Sequence, residues 1–213
     1  MTKKVVLIIL LIQFKFAFSQ NTTVINFEEK VIVSKEMLQK APPMLREVIQ
    51  KQLNNTIILA KVIFKNNIVY YRTNETNKQI NVDGNVAKKD NVTVMDTETS
   101  IRSKKINIKK DFIKQNYTVK ENNKLVTKSL EKVKWVIRKK TKKILDYNCF
   151  LATTTFKGQK LEAYFTKEIP GKASQEKLPF IDGVILEYKT LSKTSKATKI
   201  EFNQPDIKNF FEE

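Results

Sequence analysis

Apolar residues recur along this chain with two different periods, and the change of period divides it. Over Lys35–Leu53, the positions Met37, Leu38, Ala41, Met44, Leu45, Val48, Ile49 and Leu53 lie three and four apart, the repeat of one helix face. Ser34 stands where a side-chain oxygen can cap the first turn. Pro42-Pro43 interrupts the pattern, because an interior proline brings no N–H and crowds the preceding turn. The spacing predicts a kinked amphipathic helix, with a short piece to Lys40 and a longer one from Pro43.

Elsewhere the period is two. Val24, Ile25 and Val31–Val33 predict one or two short strands before the helix. Ile58, Ala60, Val62 and Phe64 alternate with more polar neighbours, and Asn66-Asn67 predicts a tight turn into Ile68–Arg72. Val82-Asp83-Gly84-Asn85-Val86 reads as a second turn, followed by the short pieces Val92–Met95, Ile106–Ile108 and Tyr117–Val119. The strongest alternation comes late. Val133, Trp135 and Ile137 share a face, and Tyr147–Phe156 turns through Lys157-Gly158-Gln159 into Leu161, Ala163 and Phe165. Val184–Tyr188 and Lys199–Phe202 complete the set. The sum is an α+β domain: a curved, mostly antiparallel β-sheet of roughly ten strands, with one kinked amphipathic helix near the mature N-terminus.

The first nineteen residues follow neither period. Lys3 and Lys4 precede an apolar run from Val5 to Ile12, and Ala17-Phe18-Ser19 supplies a small-x-small cleavage pattern before Gln20. These are the parts of a secretory signal peptide, and the run is too short to span a bilayer. The expected mature chain is a single domain, residues 20–213, without a transmembrane segment, since no repeat or linker divides it. Its compartment is expected to be a Gram-negative periplasm or the outer-membrane side of the envelope. With Cys149 as the only cysteine, no intrachain disulfide can form, so the exported fold must be held by core burial.

Composition removes several chemistries. The 213 residues contain no histidine and four glycines. Imidazole catalysis, a Ser-His-Asp triad and a cysteine-based zinc site are excluded, and no glycine-rich phosphate loop can be assembled. The formal charge is +18, from 40 basic and 22 acidic residues. Only Arg46, Arg72, Arg102 and Arg138 are arginines, and a lysine excess of this kind is poorly suited to the bidentate contacts of nucleic-acid readers. Nucleic acid is therefore not an expected partner. Two runs stand out, Arg102–Lys110 with five positive charges and Lys132–Lys143 with seven, neither holding an acid. They read as solvated sheet edges, or as a surface for anionic envelope polymers or lipid head groups.

Several patterns from Trp135 to Tyr188 occur in a recognisable order. They are Trp135-Val136-Ile137, Lys142-Lys143-Ile144 with Asp146-Tyr147 and Cys149, Ala152–Phe156 with Gly158, and Ala163–Thr166 with Glu168-Ile169-Pro170. This stretch resembles the GLPGLI family of exported proteins from Bacteroidetes-type bacteria, and the helix and strand pair upstream fit its layout. The name motif is altered here: Leu178-Pro179 and Gly183-Val184-Ile185 are kept but split by Phe180-Ile181-Asp182, and Tyr164 stands where the family has Trp. The resemblance implies an exported envelope protein of uncharacterised role and carries over no catalytic residue. Physically, Pro170 and Pro179 fix the ends of a loop between strands, and Gly183 allows close backbone approach.

Without histidine, hydrolysis would need a Ser-Lys dyad or paired carboxylates. Ser-x-x-Lys occurs at Ser129–Lys132 and Ser174–Lys177, and close carboxylates at Glu28-Glu29, Asp96/Glu98 and Glu212-Glu213. The serine pairs read as coincidence and the acids as solvated turns or chain ends, so no catalytic, metal or cofactor-binding residue is assigned and no cofactor is expected. Cys149, Trp135, Tyr147, Phe156, Tyr164 and Phe165 read as core. The expected function is a non-enzymatic exported binding protein, with an apolar ligand, an anionic polymer or an envelope protein as partner. The alternatives are a hydrolase of envelope polymers and a structural partner of an outer-membrane transporter.

Overall fold

The computed structural model describes residues 22–54, 56–74, 76–80, 99–103, 105–207 and 210–211. The signal-peptide stretch, the Val82–Val86 turn, the Val92–Met95 piece and the acids Asp96, Glu98, Glu212 and Glu213 lie outside the described residues.

Strand β1 (Thr22–Val31) leads to helices α1 (Lys35–Gln39) and α2 (Pro43–Asn54). The break falls at Lys40–Pro42, as the proline pair predicts. Pro43 takes the first helical position, where its missing N–H leaves no bond unmade. Arg46 bridges the gap, its Nε donating to Ala41 O over 3.0 Å and its Nη2 to Gln39 O over 3.2 Å. Leu38, Leu45, Ile49 and Leu53 are half-buried, while the side chains of Met37, Met44 and Val48 lie outside the described set. No helix among the described residues is long and apolar enough to cross a membrane.

The β strands follow as β2 (Ile57–Lys65), β3 (Ile68–Thr73), β4 (Thr76–Ile80), β5 (Thr99–Ser103), β6 (Asn107–Asp111), β7 (Asn116–Glu121) and β8 (Lys124–Ser129). The second half holds β9 (Val136–Ile144), β10 (Tyr147–Phe156), β11 (Gln159–Thr166), β12 (Val184–Lys189) and β13 (Lys193–Gln204). Eleven of them form one sheet in the order β8-β7-β6-β3-β2-β1-β13-β12-β11-β10-β9, and β4-β5 pair separately. Every ladder is antiparallel. Two turns that the sequence marks are present: Asn66 has φ 54°, and Lys157 and Gly158 have φ 49° and 72°, the positive values that two-residue hairpins demand. Asn122-Asn123 and Leu145-Asp146 make two more that it does not mark. Of the one or two strands expected near residues 22–33, one forms, β1. One expectation shifts: β9 begins at Val136, so Trp135 lies in the lead-in and not on a strand face.

One face of the sheet is buried nearly from end to end. Tyr117, Ile108, Tyr71, Val62 and Phe27 stand on successive strands of its first half, and Ala197, Ala163 and Ala152 on its second. The connection from Lys167 to Gly183 lies against this face. Gly171 approaches the Phe64 ring, Phe180 meets Phe112 edge-on with centroids 4.9 Å apart, and Leu178 and Ile181 pack with Leu161, Phe165 and Ile185. Trp135 Nε1 donates to Phe180 O over 2.9 Å. Residues from both halves of the sheet thus close on one segment. Each fully buried Phe, Leu or Ile side chain contributes about 1.5–3 kcal/mol, so this filling is a main source of stability in a chain without disulfides. Gly183 works as expected from sequence: a Cβ there would lie 2.5 Å from Thr166 O.

Candidate functional site

Alternation places Glu29 on the inward side of β1, in step with Ile25 and Phe27. Its neighbours across β13 and β12 are Ser195 and then Tyr188, both buried. Tyr71 reaches the same spot from β3, and the 167–183 segment brings Glu176. Tyr71 OH lies 3.1 Å from Glu29 Oε2 and 3.3 Å from Glu176 Oε1. Lys193 Nζ donates to Glu29 Oε2 over 3.0 Å and also to Glu176 Oε1. The side chain of Glu29 is 0% exposed, against 27% for Glu176 and 21% for Lys193.

This cluster is the closest approach to an acid–base pair among the described residues. Burial raises the Glu29 carboxyl, with the Glu176 charge adding to it, and the Lys193 ammonium opposes the rise without cancelling it. Burial also works against the Lys193 charge, but the two carboxylates outweigh it and hold the amine above its ordinary value. Burial and the same carboxylates push the Tyr71 and Tyr188 phenols up. Glu29 Oε1, Tyr188 OH and Ser195 Oγ have no hydrogen-bond partner among the described residues. One oxygen of each carboxylate is engaged by Lys193 and Tyr71, and Glu29 has no surface for a substrate to reach. Chemically the cluster is a clasp between strand and segment. It corrects the reading of Glu29 as a solvated acid.

A second pair has the composition of a Ser-Lys dyad. Lys110 Nζ donates to Ser174 Oγ over 2.7 Å, to Gln175 O over 3.3 Å and to Ser174 O. Its partner in the dyad is Ser174, whereas the Ser-x-x-Lys spacing had paired that serine with Lys177. Burial lowers the Lys110 amine well below its ordinary value, the direction a general base needs. The pair is nevertheless sealed, with Lys110 at 0% and Ser174 at 1% exposure. Ser174 Oγ donates onward to Leu178 O over 3.0 Å. Lys110 lies in a run read from sequence as solvated, and the structure buries it because Ile108 and Lys110 share the inward parity of β6. The same parity argument, applied to Ile25, Phe27 and Glu29, would have found both buried charges.

Most of the other run, Lys132–Lys143, lies on β9, a terminal strand of the sheet among the described residues. Most of β9 is exposed. Lys142 is tied inward, 2.5 Å from Glu187 Oε1 and 3.9 Å from the Tyr164 ring centre, and Arg138 Nε donates to Thr153 Oγ1 over 3.2 Å. Cys149 is buried, and burial, with a smaller push from the Glu168 charge, raises its thiol to about 11; it fits the core role read from sequence. Phe165 is buried, while Trp135, Tyr147, Phe156 and Tyr164 pack half-buried against the core. A cleft of about 230 Å³ opens beside the Asn66 turn, lined in part by Ile63, Ile68, Tyr70 and the Lys65–Asp206 ion pair of 2.7 Å. Among the described residues no group of three acids and cysteines is placed to hold a metal ion.

The family model described as "N-glycanase peptide, N-terminal domain" matches residues 61–209, well over half the chain. The chain belongs to this family. The stretch that resembles GLPGLI proteins, Trp135–Tyr188, lies wholly inside the N-glycanase match. No curated protein matches the chain. Among solved structures it is similar to PNGF-II in its C2 crystal form, at 14% identity and a TM-score of 0.53, over 88% of this chain and 28% of that one. The P21 form gives 13% identity and a TM-score of 0.52, over 88% and 29%. These likenesses show a shared fold. The chain spans less than a third of the length of the structures it resembles.

Proposed function

We propose that this chain is a non-catalytic binding domain of the bacterial envelope, exported through its signal peptide and working beside glycan-processing enzymes. The observation that carries the reading is the burial of Glu29, Lys110 and Ser174. The Glu29–Glu176 carboxylates and the Lys110–Ser174 pair carry the residue types of hydrolytic sites, yet both fasten the 167–183 segment to the sheet, and those three side chains lie beyond a substrate's reach. The same segment fills the inward face, so no apolar ligand is carried there and recognition falls to the outer surface and the sheet edges. Membership of an N-glycanase N-terminal domain family supports the link to glycans. The GLPGLI resemblance supports the envelope, where an anchored glycan-acting protein or an outer-membrane transporter is the partner class.

The test is incubation of the purified chain with N-glycopeptides and peptidoglycan, followed by mass spectrometry of products and of retained material. Retention of a glycoprotein or envelope protein without turnover is expected. Release of glycan at high protein concentration, lost in Ser174→Ala or Glu29→Gln, would overturn the non-catalytic reading.

A further inference from the structure

The two ends of the eleven-stranded sheet are unlike. At one, β8 is six residues long, and Lys128 is neutralised by Glu121 of its neighbour at 2.8 Å. At the other, β9 is nine residues long; Lys142 pairs with Glu187 at 2.5 Å and Lys143 lies 3.9 Å from Asp146, while Arg138, Lys139 and Lys140 make no ion pair among the described residues. Its position as a terminal strand leaves one side of its backbone without a ladder partner among the described residues, a template for another strand. Both ends of this edge are held. Trp135 is fixed by the Phe180 carbonyl, Thr154 Oγ1 donates to Lys134 O over 3.0 Å, and Ile144 is buried. The edge is therefore pre-ordered, which lowers the cost of binding.

Register sharpens the chemistry. Ile137 faces Ala152 and Thr141 faces Phe150, so Arg138, Lys139 and Lys140 stand opposite Leu151 alone. This bulge sets three successive cations at the middle of the edge, flanked by exposed Val136, Ile137 and Phe150. Bulges and edge lysines ordinarily keep strands apart. Here they disfavour a basic strand, and a second copy above all, because β9 against β9 would oppose like charges. They favour a strand of opposite charge.

We propose that β9 takes up an extended acidic segment of another polypeptide as an added strand, its carboxylates meeting Arg138, Lys139 and Lys140 and its apolar side chains meeting Val136 and Ile137. This rests on reading the chain as a binding domain and names the chemistry of its partner.

Hydrogen–deuterium exchange of the full chain tests it, with the acetylated, amidated peptide (Val-Glu)5 as probe, the basic peptide (Val-Lys)5 as control and polygalacturonate as an anionic polymer that cannot form a strand. With peptide about tenfold above its dissociation constant, amides of residues 136–144 should exchange about tenfold more slowly. The effect should vanish in Arg138→Glu/Lys139→Glu and weaken in the milder Arg138→Gln/Lys139→Gln, both at exposed positions, and persist in Lys61→Glu. Equal protection by the basic peptide would overturn the proposal. So would no protection by either peptide, or polygalacturonate binding at these cations while the acidic peptide does nothing. Glycoprotein retention without protection of residues 136–144 would sink this proposal and leave the binding-domain reading standing.

Discussion

Lys110 Nζ and Ser174 Oγ lie 2.7 Å apart although 64 residues separate them in the chain. One amine, with its other bonds to Ser174 O and Gln175 O, pins the middle of a long connection to the far half of the sheet. Lys110→Met keeps the apolar stem but leaves those buried acceptors unpaired, which costs about 1–3 kcal/mol. The segment should loosen first. Limited trypsin digestion is expected to cut after Lys172 or Lys177 faster in the variant than in the parent chain, with other sites unchanged.

Glu29 predicts a pH dependence. Burial holds its native carboxyl above the ordinary value, while in the unfolded chain it titrates near about 4.3. Between those two values the native state binds the extra proton, so its contribution is intact below the unfolded value and is lost as pH rises through the native one. Glu29→Gln removes that slope. Urea unfolding from pH 4 upward should show the variant gaining on the parent with rising pH; parallel curves would show that Glu29 does not titrate as stated.

Two glycines should respond differently. Gly183 has φ +151° and would drive a Cβ to 2.5 Å from Thr166 O, whereas Gly158 at φ +72° has nothing within 4 Å. Gly158→Ala should cost about 1 kcal/mol from backbone conformation alone. Gly183→Ala adds a clash with backbone and should cost about 2–4 kcal/mol. Thermal unfolding of the pair decides the order.

Cys149 should be silent in the folded state. It is buried, and its thiol is raised to about 11, so little thiolate exists at neutral pH. A thiol reagent is expected to label it at the rate of unfolding and to react at once in denaturant. Rapid labelling of the native chain would contradict this placement.

Much of the sheet was legible because one side of it is wet. Ile58, Ala60 and Val62, then Tyr147–Phe156 and Leu161–Phe165, follow the alternation, and their turns are marked by Asn66 and by Lys157-Gly158. The kink at Pro42-Pro43 follows from covalent structure alone. The clasp was not legible. Glu29, Tyr71, Glu176 and Lys193 are spread over 165 positions of sequence, and a charged side chain at an inward position reads as solvent-facing until its partners are seen. Lys110 misled in the same way, since a run of lysines hides the one that parity turns inward.

The ladder between β1 and β13 joins the first described strand to the last. A nascent polypeptide presents β1 early and must wait for residues 193–204 before its two sheet halves can be stitched together. Assembly of this sheet is therefore completed only after β13 has been delivered, and a product truncated before Lys193 would expose Ile25 and Phe27 on an open, sticky margin. Proteolysis or chaperone capture during delivery would act on that half-built intermediate, so the arrival of β13 sets how long the sheet stays vulnerable.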